Sequence, residues 1–277
     1  MESYPFTDLL RSARASSQGV GAFNVVLLEH AEGIVAGAEA VGLPVVLQIS
    51  ENCIRYHGGP APIVSAALQI ARTSSTTVFV HLDHIESVEL IEEGIELGVS
   101  SVMFDGSRLA YDENVALTRR VVEFCQRNGV SVEAELGEIG GKDGVHSAGA
   151  RTDPTEARAF VTESCVDTLA VAVGSSHAMT TREAAVDLAL IRRLAAVVPV
   201  PLVLHGSSGL SDSQLVDAVE AGITKINIST HLNGLFTKAV RSALTEAPTL
   251  VDPRQFIRPG RDAIAAETAR LLTLLAG

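Results

Sequence analysis

Three histidines, His84, His177 and His205, each sit just past a short apolar run, and each run reads as a strand buried on both faces. An imidazole there costs free energy unless something pairs with it. Taken singly, each fits a satisfied structural histidine. Together they match an open zinc site, in which three imidazoles leave a fourth position for substrate. Asp83, directly before His84, brings a carboxyl group suited to proton exchange to the same place. Its plainer reading is a cap on the next helix. The remaining histidines give the contrast: His30, His57, His146 and His231 fall in helix or loop patterns, and His81 lies within a strand.

The elements that must position these groups follow one period, a short apolar run and then an amphipathic stretch. The runs are Gly21–Val26, Pro44–Ile49, Thr77–Leu82, Ser100–Phe104, Val130–Leu136, Asp167–Val173, Val200–Leu204 and Ile223–Ile228. Between them lie helix signals. Asp112 can cap a helix running to Asn128 with Gly129 as its stop. Asp153-Pro154-Thr155-Glu156 is a cap with proline at the first helical position, and Ser211 to Gln214 is a capping box ahead of Gly222. Eight strands alternating with helices predict an α/β fold, a single (β/α)8 TIM barrel over residues 1–277, with a C-terminal helical extension from about 252. An open doubly wound sheet is the alternative, but no G-x-G-x-x-G follows the first strand.

Composition narrows the function classes. With 33 acidic against 21 basic residues the net charge is −12, which disfavours nucleic acid and anionic membranes. No apolar run is long enough to span a bilayer, and residues 1–14 lack the pattern of a signal peptide. Cys53, Cys125 and Cys165 are odd in number and widely spaced, with Cys125 and Cys165 in apolar helical patterns. The expectation is a cytoplasmic chain with buried, reduced thiols.

In a barrel, chemistry collects where strands end. Those ends carry Asn24, Gln48 and Ser50, Asp83 and His84, Asp105, Glu133 and Glu135, His177, His205 and Asn227. Gly206-Ser207-Ser208-Gly209 and Ser229-Thr230 each open onto a helix, so backbone N–H groups there can cradle an anion. Each alone also reads as an ordinary turn. The longest loop, Gly137 to about Thr152, has the glycines of a mobile lid and can carry Glu138 or Asp143 into the site. A plain surface loop is the alternative.

Four stretches, 79–84 (FVHLDH), 101–107 (SVMFDGS), 132–137 (VEAELG) and 201–209 (PLVLHGSSG), resemble the class II, metal-dependent ketose-bisphosphate aldolases, most closely the short tagatose-bisphosphate type. The likeness runs in order from about Ala22 to the C-terminal helix. It implies reversible cleavage of a ketose 1-phosphate bearing a second anionic group, of the tagatose or fructose 1,6-bisphosphate type. The products would be dihydroxyacetone phosphate and an aldehyde such as glyceraldehyde 3-phosphate. It also implies one Zn2+ per subunit on His84, His177 and His205, acting as a Lewis acid on the ketone oxygen. Asp83 matches the group that exchanges a proton with the C4 hydroxyl, and Asn227 one that hydrogen-bonds the enediolate. Asp143 falls where the family places its lid acid. Glu135 matches a carboxylate beside the metal, as a support or a transient ligand. Gly206, Ser208, Ser229 and Thr230 match the C1-phosphate positions, and Asn24, Gln48 and Ser50 the distal half of the sugar. Arg254 resembles an arginine that reaches the distal phosphate of a neighbouring subunit, implying a homodimer or homotetramer.

The departures lie after strand six. The usual Gly is Ala178, in a turn where relatives bind a monovalent cation (Na+ or K+). Thr181 stands where a basic phosphate contact is expected, with Arg182 one position on as its substitute. Three alternatives remain at this point: an aldolase for a sulfonated or deoxy ketose phosphate, a metallohydrolase, and a non-catalytic subunit that assembles with an aldolase. The hydrolase would carry His-x-His after strand one, where Asn24-Val25-Val26 stands. The assembly subunit would have no need of all three histidines and Asp83.

Overall fold

Eight parallel strands close into a barrel in sequence order: β1 (Val20–Asn24), β2 (Val45–Ser50), β3 (Val78–Ile85), β4 (Ser101–Phe104), β5 (Ser131–Leu136), β6 (Thr168–Val171), β7 (Leu202–Leu204) and β8 (Ile223–Ile228), with β8 paired back onto β1. This computed structural model describes residues 6–136, 151–175 and 185–277. The expected (β/α)8 barrel is the fold found.

The period-2 pattern divides each strand between two environments. Val80, Leu82 and Ile85 of β3 join the main apolar core beneath the surrounding helices, α2 (Leu28–Val41), α4 (Pro60–Thr73), α5 (Val88–Leu97), α6 (Tyr111–Arg127), α7 (Pro154–Ser164), α8 (Leu188–Val197) and α9 (Asp212–Ala221). The opposite parity lines the barrel. Its lower end is plugged by α1 (Phe6–Ala15), whose Phe6 meets Phe79 edge-on at 5.2 Å between ring centroids. Val20, Ala22 and Val46 complete that apolar floor. Above it the lining turns polar, with His81, Ser101, Glu133 and Lys225 all buried.

Several helix ends follow the local chemistry read from the chain. Asp153 accepts from the N–H groups of Thr155 and Glu156, Ser211 and Gln214 cap each other reciprocally, and Gly222 takes the positive φ that ends α9. Asp112 does not cap α6; the cap falls two residues earlier, at Ala110, and Asp112 sits in the first turn where its charge favours the helix dipole. Cys165 also differs from expectation. It is exposed at the left-handed C-cap of α7, whereas Cys53 and Cys125 are buried.

After β8 come α10 (Thr230–Glu246) and α11 (Pro253–Ala276), capped by Asp252. Helix α11 lies hard against α2: a Cβ on Gly37 would come within 2.4 Å of the Ala265 carbonyl oxygen, so only glycine allows that approach. Among the described residues no helix is long and apolar enough to cross a membrane.

Candidate active site

β3 carries two polar residues in succession, which a regular strand would point to opposite faces. The structure resolves this with a break in the β3–β4 register between Leu82 and Ile85, at which His84 takes a left-handed φ of 51°. A bulge inserts one residue. Ile85 therefore returns to the outward parity of Leu82, and Asp83 and His84 both face the mouth. A positive φ is uncommon for a residue with a Cβ and costs backbone free energy.

His84 Nδ1 lies 2.7 Å from Asp105 Oδ2. Asp105 is held in turn, its Oδ1 accepting from the Ser107 hydroxyl at 2.6 Å. Because a carboxylate only accepts, His84 keeps a proton on Nδ1, and Nε2 is the nitrogen able to give its lone pair to a metal. His205, at the end of β7, mirrors this with the other ring nitrogen: its Nε2 lies 2.9 Å from Glu133 Oε1. His205 Nδ1 then carries the lone pair, and it faces His84 Nε2 at 2.9 Å. At that distance the facing nitrogens need a cation between or beside them, the second proton of His84 in the metal-free protein or a metal ion in its place. This is the ligand-and-support arrangement of a metal site, each imidazole oriented by a carboxylate behind it.

Carboxylates complete the donor set. Ligand atoms of Asp83, His84 and His205 lie within 4.8 Å of one another, as do those of His84, Asp105 and Glu135. Their field acts on His84. Burial alone would lower its pKa, but the charge of Asp83, the hydrogen bond to Asp105 and the charge of Glu135 reverse this, to about 9. For Asp83 burial acts upward, and the neighbouring His84 and His205, Lys225 and the Asn24 hydrogen bond hold it below its ordinary value. His81, deeper in the barrel, is driven well down by burial and then by Lys225, so it stays neutral on Ser101.

Asp83 is oriented by a relay across three strands. Gln48 donates to Asn24 Oδ1 at 3.3 Å, and Asn24 Nδ2 donates to Asp83 Oδ2 at 2.8 Å. The other oxygen, Asp83 Oδ1, is buried and has no hydrogen-bond partner among the described residues. One oxygen is thus anchored and one kept for a reacting group. Asn24 and Gln48 have this positioning work in the structure itself. Ser50, expected beside them on the sugar, caps the short helix α3 (Glu51–Tyr56) by accepting from Cys53 N at 3.2 Å.

The two anion loops are brought together. Ser208 Oγ accepts from Ser229 N at 3.3 Å, and Ser207 donates to the Asn227 carbonyl at 2.5 Å. Gly206, with φ 66°, makes the turn into a short 3-10 segment at Ser207–Gly209, ahead of α9. Thr230 opens α10. Asn227 Nδ2 lies 3.0 and 3.4 Å from the two ring nitrogens of His205, over the ring rather than in its plane.

His177, Asp143 and Arg182 lie outside the described residues. Arg254 stands on the first turn of α11, its side chain 85% exposed and paired with Asp252 at 2.8 Å. The roles of Asp105, Glu133 and Lys225 escaped the sequence reading. Inward parity at Glu133 and Glu135, and Lys225 two residues before Asn227, were the available signals.

A family model described as class II fructose-bisphosphate aldolase matches residues 5–276. A fructose-bisphosphate aldolase of Geobacillus stearothermophilus is 39% identical over 263 residues, covering 94% of this chain and 92% of that one. The crystal structure of the YdjI aldolase from Escherichia coli K12 superposes with a TM-score of 0.84 at 30% identity, over 97% of this chain and 96% of that one. Fructose-bisphosphate aldolase from Campylobacter jejuni, at 21% identity and a TM-score of 0.78 over 97% and 93% of the two chains, shares the fold. Class II aldolases are metal-dependent, and the facing imidazoles and their carboxylates fit that chemistry. This chain belongs to the class II fructose-bisphosphate aldolase family and is an aldolase, a carbon–carbon lyase of carbohydrate metabolism.

Proposed function

We propose that the protein reversibly cleaves a ketose 1-phosphate with a second anionic group, of the fructose or tagatose 1,6-bisphosphate type, into dihydroxyacetone phosphate and an aldehyde. The observation that carries this reading is the approach of His84 Nε2 and His205 Nδ1 to 2.9 Å, beside a carboxylate oxygen of Asp83 that has no hydrogen-bond partner among the described residues. His84 and His205, with His177 as third ligand, would hold one Zn2+, and Glu135 stands by as a support or transient ligand. The donor set of imidazoles suits zinc. Bound there, zinc supplies a Lewis acid for the ketone oxygen and its neighbouring hydroxyl.

The chain's own groups do the rest. Asp83 Oδ1 takes the proton of the C4 hydroxyl as the C3–C4 bond breaks, and the electron pair stays with the dihydroxyacetone phosphate half. Asn24 and Gln48 keep the other oxygen of Asp83 in place meanwhile. Asn227 hydrogen-bonds the oxygen on which charge develops, and Asp143 returns a proton to C3. Gly206, Ser208, Ser229 and Thr230 hold the C1 phosphate, with Arg182 in place of the basic residue absent at Thr181. A Na+ or K+ ion is assigned to the turn after β6. Ser50 faces the distal half of the sugar, and Arg254, exposed on α11, reaches the distal anion of a neighbouring subunit in a homodimer or homotetramer. A cytoplasmic setting fits the three free thiols.

Coupled assays with fructose 1,6-bisphosphate, tagatose 1,6-bisphosphate and a 6-sulfonated ketose 1-phosphate test this, each with and without EDTA. Chelator-sensitive release of dihydroxyacetone phosphate from at least one is expected, and the fastest names the sugar. Zinc-loaded protein that cleaves none of them contradicts the proposal.

A further inference from the structure

Lys225 lies inside the barrel with no exposed surface, and its Nζ donates to Glu133 Oε2 at 2.9 Å. Glu133 is 1% exposed, and its other oxygen faces His205 Nε2 at 2.9 Å. Three buried side chains from β8, β5 and the end of β7 thus form one line, ending at the ring nitrogen that faces His84. A buried lysine in a barrel is costly to keep. Its charge is met here by the Glu133 carboxylate.

Each ligand imidazole needs its proton on the nitrogen away from the metal. For His84 that nitrogen is Nδ1, facing Asp105, whose Oδ1 is held by Ser107 on the same loop. For His205 the nitrogen is Nε2, and it faces Glu133 Oε1 at 2.9 Å, reached from across the barrel. Asn227 does not compete, because its amide lies over the ring face. What decides the tautomer of His205 is therefore the orientation of the Glu133 carboxyl group. With Oε2 fixed by Lys225, the carboxylate plane is set and Oε1 is left for Nε2. Without that anchor both oxygens are free to turn.

We propose that Lys225 is a positioning residue which, through Glu133, fixes the Nε2–H tautomer of His205 and so aims the Nδ1 lone pair at the metal. This rests on the metal-site reading above and deepens it. Lys225 touches neither substrate nor metal; its effect is read in the affinity of the unloaded protein for the ion.

The test compares wild type, Lys225→Met and the double variant Lys225→Met/Glu133→Gln, all stripped of metal, by competition for Zn2+ against a chromophoric chelator. Loss of the anchor is expected to weaken zinc binding by about 10- to 100-fold, the size typical of a lost supporting partner. The double variant is expected to recover at least half of that loss on a logarithmic scale. Its neutral amide offers one acceptor to Nε2–H and requires no cation behind it. Zinc affinity unchanged in Lys225→Met, or a loss that the double variant does not recover, overturns the proposal. Nitrogen-15 spectra of the imidazoles in stripped wild type decide the matter independently of how the variants fold: the Nε2–H form of His205 is expected, and the Nδ1–H form overturns it. Wild-type protein that binds no zinc would instead defeat the metal-site reading, a result distinct from these.

Discussion

Asp83→Ala is expected to retain zinc and to lose cleavage by about 10²- to 10⁴-fold, the range for removal of a general acid–base group. The expectation follows from the division of labour between the two oxygens of Asp83. Oδ2 is tied to Asn24, while Oδ1 is buried with no partner among the described residues. Leaving a buried acceptor unsatisfied costs free energy, which a folded chain tolerates where the atom has work to do. Measuring metal content beside the cleavage rate separates the roles. Zinc retained with the rate lost fits proton exchange at C4. Zinc lost along with the rate would make Asp83 a ligand, and a rate near wild type would remove it from the chemistry.

The second large effect is expected at His205. His205→Ala should lower zinc occupancy by more than the loss of a supporting partner does, and cleavage should fall with it to background. The substitution removes one of the two facing ring nitrogens and also strips Glu133 of its imidazole, leaving the Lys225–Glu133 pair buried without that contact. Added zinc should restore little of the rate, because the coordination itself is incomplete. Metal analysis and cleavage assays at rising zinc concentration check both points. Full zinc content with full activity in this variant would take His205 out of the site.

Much of the scaffold could be read from the chain because its signals are local. Asp153 and the Ser211–Gln214 pair cap helices through hydrogen bonds to residues two and three positions away, so spacing alone reveals them. Asp112 was misplaced for the same reason in reverse. Any residue in the extended region can serve as N-cap, and Ala110 does so without a side-chain hydrogen bond. Cys165 lies on an apolar helical pattern, yet the chain leaves the helix at that residue and turns its thiol outward.

The site itself was legible as a set of polar strand ends, and less so as a set of contacts. Asn24 and Gln48 read from the chain as contacts to the sugar; the structure adds the hydrogen bonds that link them to Asp83 across three strands. The bulge that turns Asp83 and His84 to one side leaves no mark in residue type, because it depends on how β3 meets β4. Glu133 and Lys225 are 92 positions apart, and their pairing across the barrel is a property of closure rather than of either strand. Long-range register is what the one-dimensional pattern lacks.

The central claim is that a metal held by the strand-end histidines drives aldol cleavage, and stoichiometric reloading tests it most directly. Protein stripped with a chelator and then dialysed would be titrated with Zn2+ while release of dihydroxyacetone phosphate from the best substrate is followed. The account predicts no cleavage above background in the stripped protein and a rise to a plateau at one zinc per chain. Full cleavage by the stripped, metal-free protein would contradict it.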